Sequence, residues 1–116
     1  MKVVAVVKEL FFVARIRETA RMVGAPLVFA RTPEELGAAL EVAPDLVLLD
    51  LTTTGWDYEA FFAAIEGASP RPPVLGFTTH ALARATQPLH GRCARVVTKE
   101  TLTRELPELL RSGIAA

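Results

Sequence analysis

Cysteine occurs once in this sequence, at Cys93, so no internal disulfide can staple the chain. Neither His80 nor His90 stands at a spacing that would let it share a zinc ion with that thiol, and solvent exposure is the simplest expectation for both imidazoles. An unreactive, half-buried thiol ahead of a strand is the plain reading of Cys93. Net charge is missing as well, because 13 lysines and arginines balance 13 aspartates and glutamates. That balance leaves no domain-wide basic field for nucleic acid and no acidic tail. Long apolar runs are absent too. The apolar opening, residues 1–7, meets Lys8-Glu9 well short of a bilayer span or a signal-peptide core. No membrane partner is therefore expected, and the cytoplasm is the expected compartment. Internal repeats and low-complexity tracts are likewise lacking.

What is present is a chain that is 51% hydrophobic over 116 residues, enough for a single domain over residues 1–116 whose core needs no disulfide or structural metal. Short apolar runs alternate with amphipathic stretches, which is the signature of repeated βα units. The run KVVAVV at 2–7 reads as a strand covered on both faces. Val13, Ile16, Ala20 and Val23 recur at helical spacing, and Gly24 offers a left-handed cap. Residues 27–30 form a short second strand. Thr32-Pro33-Glu34-Glu35 combines a capping hydroxyl, a proline at the first helical position and a glutamate three residues after the cap. It opens a helix that turns Leu36, Ala39 and Leu40 inward. Residues 46–49 are the third strand, with Asp50 at its end. A threonine-rich loop, 52–55, then leads into a helix carrying Phe61, Phe62 and Ile65. A stiff turn at 69–73 precedes a fourth strand at 74–77. A short helix around 81–85, stopped near Pro88 and Gly91, comes before the fifth strand, Arg95–Thr98. The last helix holds Leu106, Leu109 and Leu110; with Thr103 as its cap, Pro107 falls in its first turn.

Five strands with intervening helices predict a three-layer α/β/α sandwich of the flavodoxin-like class, with a parallel sheet in the order 2-1-3-4-5. In such sheets function gathers at the carboxyl ends of the strands, where the strand order reverses. The residues just past strands one, three, four and five are Lys8-Glu9, Asp50, Thr78-Thr79 and Lys99, so these should meet. A carboxylate, a hydroxyl and an ammonium at one edge are the parts needed to accept a phosphoryl group. Asp50 would be the nucleophile, and Thr78 and Lys99 would meet the phosphoryl oxygens.

The segments VVAVVKEL, PDLVLLDL, PPVLGFTT and ARVVTKE, in this order and βα phase, resemble the receiver domains of two-component response regulators over nearly the whole chain. The resemblance implies a CheY-like fold and phosphorylation on Asp50. It makes Thr78 the switch hydroxyl, followed by Thr79, and Lys99 the lysine that closes the fifth strand. It also implies magnesium held by Glu9, by Asp50 and by the Thr52 carbonyl. The expected role is phosphorelay signalling by a stand-alone receiver that is not itself an enzyme. Its expected partner is a histidine kinase, a phosphotransfer protein or a downstream effector, or else a second copy of the chain.

The pattern is degenerate at the metal corner. Receiver domains end their first strand with two adjacent acids, and here Lys8 precedes Glu9. The family's proline four residues past the aspartate and glycine eight past it are Thr54 and Tyr58. Glu100 stands where a proline follows the lysine, and Val96 or Val97 replaces an aromatic. An ammonium ~4 Å from Asp50 interacts with it by about 4 kcal/mol at an effective dielectric near 20, enough to compete with weakly held magnesium. A Lys8–Asp50 or Asp50–Lys99 ion pair is therefore expected, with magnesium binding weak or absent, as in a pseudo-receiver.

Leu10, Phe11 and Phe12 cannot all be buried by a helix whose inward face is set by Val13, Ile16 and Ala20, so at least one phenylalanine should be exposed near the crevice. The resemblance makes that helix a docking surface, with Phe11 and Phe12 as its contact residues and partial burial under the helix–strand turn as the alternative, while Trp56, in the loop beside Asp50, reads either as a pocket cover or contact anchor or as packing. Two other functions on this fold carry less of the pattern. A flavin- or nucleotide-binding module needs a phosphate loop where KELFF stands, and an aspartate-nucleophile phosphatase wants a second acid where Thr52 stands.

Overall fold

Continuous apolar runs become strands here because a parallel sheet covered on both faces can bury every residue of a run. In the computed structural model, which describes residues 1–114, the strands are β1 (Val3–Val6), β2 (Leu27–Phe29), β3 (Leu46–Asp50), β4 (Val74–Thr78) and β5 (Arg95–Thr98). Every residue of β1, β3 and β4 is buried. The helices are α1 (Leu10–Val23), α2 (Pro33–Leu40), α3 (Tyr58–Glu66), α4 (Ala83–His90) and α5 (Lys99–Ser112). All pairings are parallel and the order is β2-β1-β3-β4-β5, as the alternation of elements predicts.

Side chains of each strand alternate between two cores. Val3, Ala5, Val7, Leu46, Leu48, Leu75, Phe77 and Val97 pack with Val13 and Ile16 of α1 and Leu102 and Leu106 of α5. Val4, Val6, Val47, Leu49 and Val74 pack with Leu36 of α2 and Phe61, Phe62 and Ile65 of α3, with Leu89 of α4 at the margin. This parity decides which strand-end residue faces which helix.

The helix ends follow the signals in the sequence, with two shifts. Gly24 takes the left-handed conformation at the end of α1, with φ 74°. Thr32 caps α2 by accepting from the Glu35 N–H at 3.0 Å, while the Glu35 carboxylate reaches back one residue further than expected, to the Arg31 N–H at 2.7 Å. The fourth helix starts later than the pattern suggested and runs through Pro88 to His90. The fifth helix begins at Lys99, capped by Thr98 rather than Thr103, which places Pro107 in its interior. The Thr98 hydroxyl accepts from the Thr101 N–H at 3.2 Å, so the strand passes into the helix with no loop, a transition that a reading based on apolar spacing misses.

Gly76, in the middle of β4, is required by close packing. A Cβ there would lie 2.9 Å from Cys93 Sγ and 3.0 Å from Leu51 Cδ1. Gly76→Ala is expected to destabilise the domain by about 1–3 kcal/mol through overpacking, measured as a lower denaturant midpoint with an unchanged m-value.

Candidate functional site

Strand register gathers the expected residues at one edge. Asp50 pairs with Phe77, Thr78 pairs with Thr98, and Val6 pairs with Leu49, so Asp50 and Thr78 close β3 and β4, Lys99 opens α5 directly after β5, and Lys8-Glu9 stands just beyond β1. Within that edge the alternation divides them. Asp50 continues the Leu46–Leu48 side toward α1 and α5 and the Lys99 ammonium reaches Phe12 of α1, whereas Thr78 continues the Val74 side and meets Thr86 of α4. Asp50 and Thr78 are 2% and 3% exposed, while Lys8 and Glu9 are exposed. Glu9 is the N-cap residue of α1, and its side chain makes no capping hydrogen bond.

The Asp50 carboxylate is satisfied within its own loop. Its Oδ1 accepts from the Thr52 backbone N–H at 2.8 Å and from the Thr52 hydroxyl at 2.6 Å, a local turn of the kind aspartate favours. Tyr58 then braces the segment from α3. Its hydroxyl donates to the Asp50 carbonyl at 2.6 Å and accepts from the Thr53 N–H at 3.0 Å. Burial, reinforced by the nearby Asp50 charge, pushes this phenol up to about 12. The tyrosine standing where a receiver has glycine is thus a structural pin for the loop after β3.

Neither expected ion pair forms: among the described residues no salt bridge joins Asp50 to Lys8 or to Lys99. The physical reason differs for each lysine. Lys8 lies in water, where its charge is well solvated. The Lys99 ammonium sits 5.5 Å from the centroid of the Phe12 ring, a cation–π contact. Phe12 in turn stacks on Phe77 at 5.4 Å, so it belongs to the core margin and is not a free contact residue. Phe11 is the exposed phenylalanine, at 87%. Trp56 is half-buried against Phe61 and Tyr58, with centroids 5.1 and 6.2 Å away, so it packs on α3 while keeping part of its ring at the surface.

Thr78 has partners that the sequence did not suggest. The Thr86 hydroxyl of α4 lies 3.1 Å from the Thr78 hydroxyl, 2.8 Å from His90 Nε2 and 3.2 Å from the Ala83 carbonyl. His80 is exposed as expected, but His90 is half-buried and hydrogen-bonded, which corrects the expectation for it. A threonine and a histidine at i and i+4 on one helix face were the available signal.

Few side-chain oxygens at this edge are available to a hard divalent cation. Magnesium wants near-octahedral oxygen ligation, and the candidates here are the carboxylates of Glu9 and Asp50 and the Thr52 carbonyl. Oδ1 of Asp50 already accepts two hydrogen bonds, and Lys8 adjoins Glu9. Among the described residues no group of three His, Cys, Asp or Glu side chains could hold a metal ion.

No protein-family model matches the sequence, and no curated protein matches it either. Solved structures do match. The receiver domain of the Pseudomonas aeruginosa sensor histidine kinase PA1611, described with a magnesium ion coordinated in its active-site cleft, is 18% identical with a TM-score of 0.73, covering 95% of this chain and 93% of that one. The fold is that of a receiver domain. The Vibrio cholerae chemotaxis response regulator CheY4 is 21% identical with a TM-score of 0.72, covering 94% and 98% of the two chains. A member of a streptococcal family of redox sensors, described as evolved from two-component response regulators, is 14% identical with a TM-score of 0.73; 95% of this chain matches 51% of that one. The receiver fold therefore holds over nearly the whole length.

Tyr58→Phe is expected to cost about 1–2 kcal/mol by leaving the Thr53 N–H and the Asp50 carbonyl unpaired. Because the phenol is raised in the folded state, its contribution is complete below about pH 10 and is lost as pH climbs toward about 12. The variant should therefore lose stability less steeply over that alkaline window, measured by urea unfolding at a series of pH values. Phe11→Ser is expected to leave stability within about 0.5 kcal/mol, whereas Phe12→Ser should cost about 2 kcal/mol through lost burial and stacking. Paired thermal melts separate the two.

Proposed function

We propose that this chain is an atypical receiver in phosphorelay signalling, a cytoplasmic protein-contact module and not an enzyme. In this reading Asp50 keeps the place of the phosphoacceptor, while Lys8 and the thin donor set leave magnesium weakly held. One observation carries the reading: a buried carboxylate ends the central strand β3, on the same side of the sheet edge as Lys99 and one strand from the Thr78 hydroxyl. That is an Asp–Thr–Lys edge in the right order on the right fold. The Pseudomonas neighbour, with its coordinated magnesium, supports a divalent cation as the partner of such an edge. The streptococcal neighbour supports reassignment of the fold to another signal. Phe11, projecting into water from the first turn of α1, supports that helix as the face presented to a histidine kinase, a phosphotransfer protein or an effector.

Intact-mass analysis after incubation with acetyl phosphate and magnesium tests the phosphoacceptor. The expected result is a partial phosphoryl adduct in the wild-type chain and none in Asp50→Asn. Lys8→Asp should raise magnesium affinity roughly tenfold by removing a cation and adding a ligand, measured by calorimetry, and should increase adduct yield. Absence of any adduct in both the wild-type and Lys8→Asp chains would overturn the phosphoacceptor. Equal magnesium affinity in those two chains would overturn the role given to Lys8.

A further inference from the structure

The Thr86 hydroxyl makes three contacts but has a single proton to give. The Ala83 carbonyl can only accept. Thr78 Oγ1 can donate or accept, and His90 Nε2 does either according to where the ring proton lies. When Nε2 carries a lone pair, Thr86 must donate to it, and Thr78 can keep its 3.1 Å contact only by donating to Thr86. The Thr78 proton is then committed toward α4. When Nε2 carries a proton, the imidazole donates to Thr86 and the Thr86 proton is free to point at Thr78. When that proton points at Thr78 rather than at the Ala83 carbonyl, Thr78 accepts and its own proton is available elsewhere. Imidazolium, with both nitrogens protonated, enforces the donation to Thr86 and so opens this second arrangement, which a lone pair on Nε2 forbids.

What the freed proton could meet follows from the register. Asp50 pairs with Phe77, so Thr78 stands one residue past the partner of Asp50 on the adjoining strand, with strand spacing of about 4.8 Å. An anion carried on the Asp50 carboxylate would sit at the same strand-end edge, one strand from that hydroxyl. We propose that His90, acting through Thr86, sets whether the Thr78 hydroxyl can donate to an anion on Asp50, so that protonation of His90 favours anion binding there. His90 and Thr86 are positioning residues in this scheme, and the anion half of it rests on the reading of Asp50 as a phosphoryl acceptor.

The other ionisable groups around α4 are accounted for by their own contacts. The strand on which α4 packs, β4, is VLGFT and has no ionisable side chain. Tyr58, which lines a cavity of about 290 Å³ together with Thr86 and Leu89, stays a phenol because burial holds it near 12. Burial likewise lifts the Cys93 thiol to about 11. Arg92 is held by Glu59 and Glu66 of α3, and Arg95 of β5 by Glu105 of α5. Arg84, on α4 itself, is exposed. No carboxylate forms an ion pair with His90 among the described residues. Histidine is the side chain that changes charge between about pH 5 and 8.

Two measurements on the intact chain separate this proposal from the reading beneath it. Side-chain nitrogen NMR of His90 reports its tautomer and titration without any anion present. Thr86→Val should move both, and Thr78→Val, two links away, should move them in turn. A response to Thr86→Val with none to Thr78→Val ends the chain at Thr86 and overturns the proposal. The second measurement is affinity for beryllium fluoride with magnesium at about pH 5.5 and about pH 8. The wild-type chain should bind about fivefold tighter at the lower pH, the worth of one hydrogen bond. His90→Gln should remove that difference, because its amide protons do not titrate, and His80→Gln should keep it. The same pH profile in wild type and His90→Gln overturns the coupling. No adduct at any pH in any of these chains refutes the phosphoacceptor reading and the anion coupling with it, and the NMR arm still decides whether His90 reaches Thr78.

Discussion

Burial of both faces of the parallel sheet is the constraint from which the rest follows. With every residue of β1, β3 and β4 enclosed, no polar side chain can stand in mid-strand without a partner, so polar chemistry is driven to the strand ends. The buried polar residues here, Asp50, Thr78 and Thr86, all lie at or against the carboxyl edge. The same enclosure fixes register, because a one-residue slip would exchange the two cores and turn Asp50 from α1 and α5 toward α2 and α3. Gly76 belongs to this argument too: the strand between Asp50 and Thr78 can lie close to Leu51 and Cys93 only without a side chain at its centre.

Much of this was legible in the residues, and what was not has a definite cause. Strand order, the cap at Thr32, the left-handed Gly24 and the gathering of Asp50, Thr78 and Lys99 at one edge follow from local signals and from the rules of parallel sheets. The start of α5 was not legible, because Thr98 serves at once as the last residue of a strand and the cap of a helix. Nor was the fate of the lysines. Sequence places an ammonium near a carboxylate, but whether it pairs depends on competing partners: two donors from Thr52 for Asp50, and the Phe12 ring for Lys99. The two phenylalanines show the same limit. Crowding required that one be exposed, but only packing against Phe77 decided that it was Phe11.

The local satisfaction of Asp50 changes what a nearby cation can do. An aspartate that accepts from an N–H and an O–H of one residue has hydrogen-bond partners without a salt bridge. The loop carrying them is fixed by Tyr58, whose hydroxyl is shared between the Asp50 carbonyl and the Thr53 N–H. A smaller residue at position 58 would leave both groups to water. The site therefore has a stiffer β3–α3 loop than a glycine there would give, and its geometry depends less on what binds in front of it.

Lys8 then acts differently from a seated counter-ion. A lysine in water contributes a screened field that decays over about 8 Å at physiological ionic strength, not the several kcal/mol of a contact pair. It opposes the accumulation of cations at the edge without occupying a ligand position, and it attracts anions to the same place. The Thr52 donors and the Thr78 hydroxyl remain the short-range hydrogen-bonding groups at that edge. A lysine at position 8 thus sets the sign of the long-range field, while the short-range hydrogen-bond geometry around Asp50 is set by Thr52.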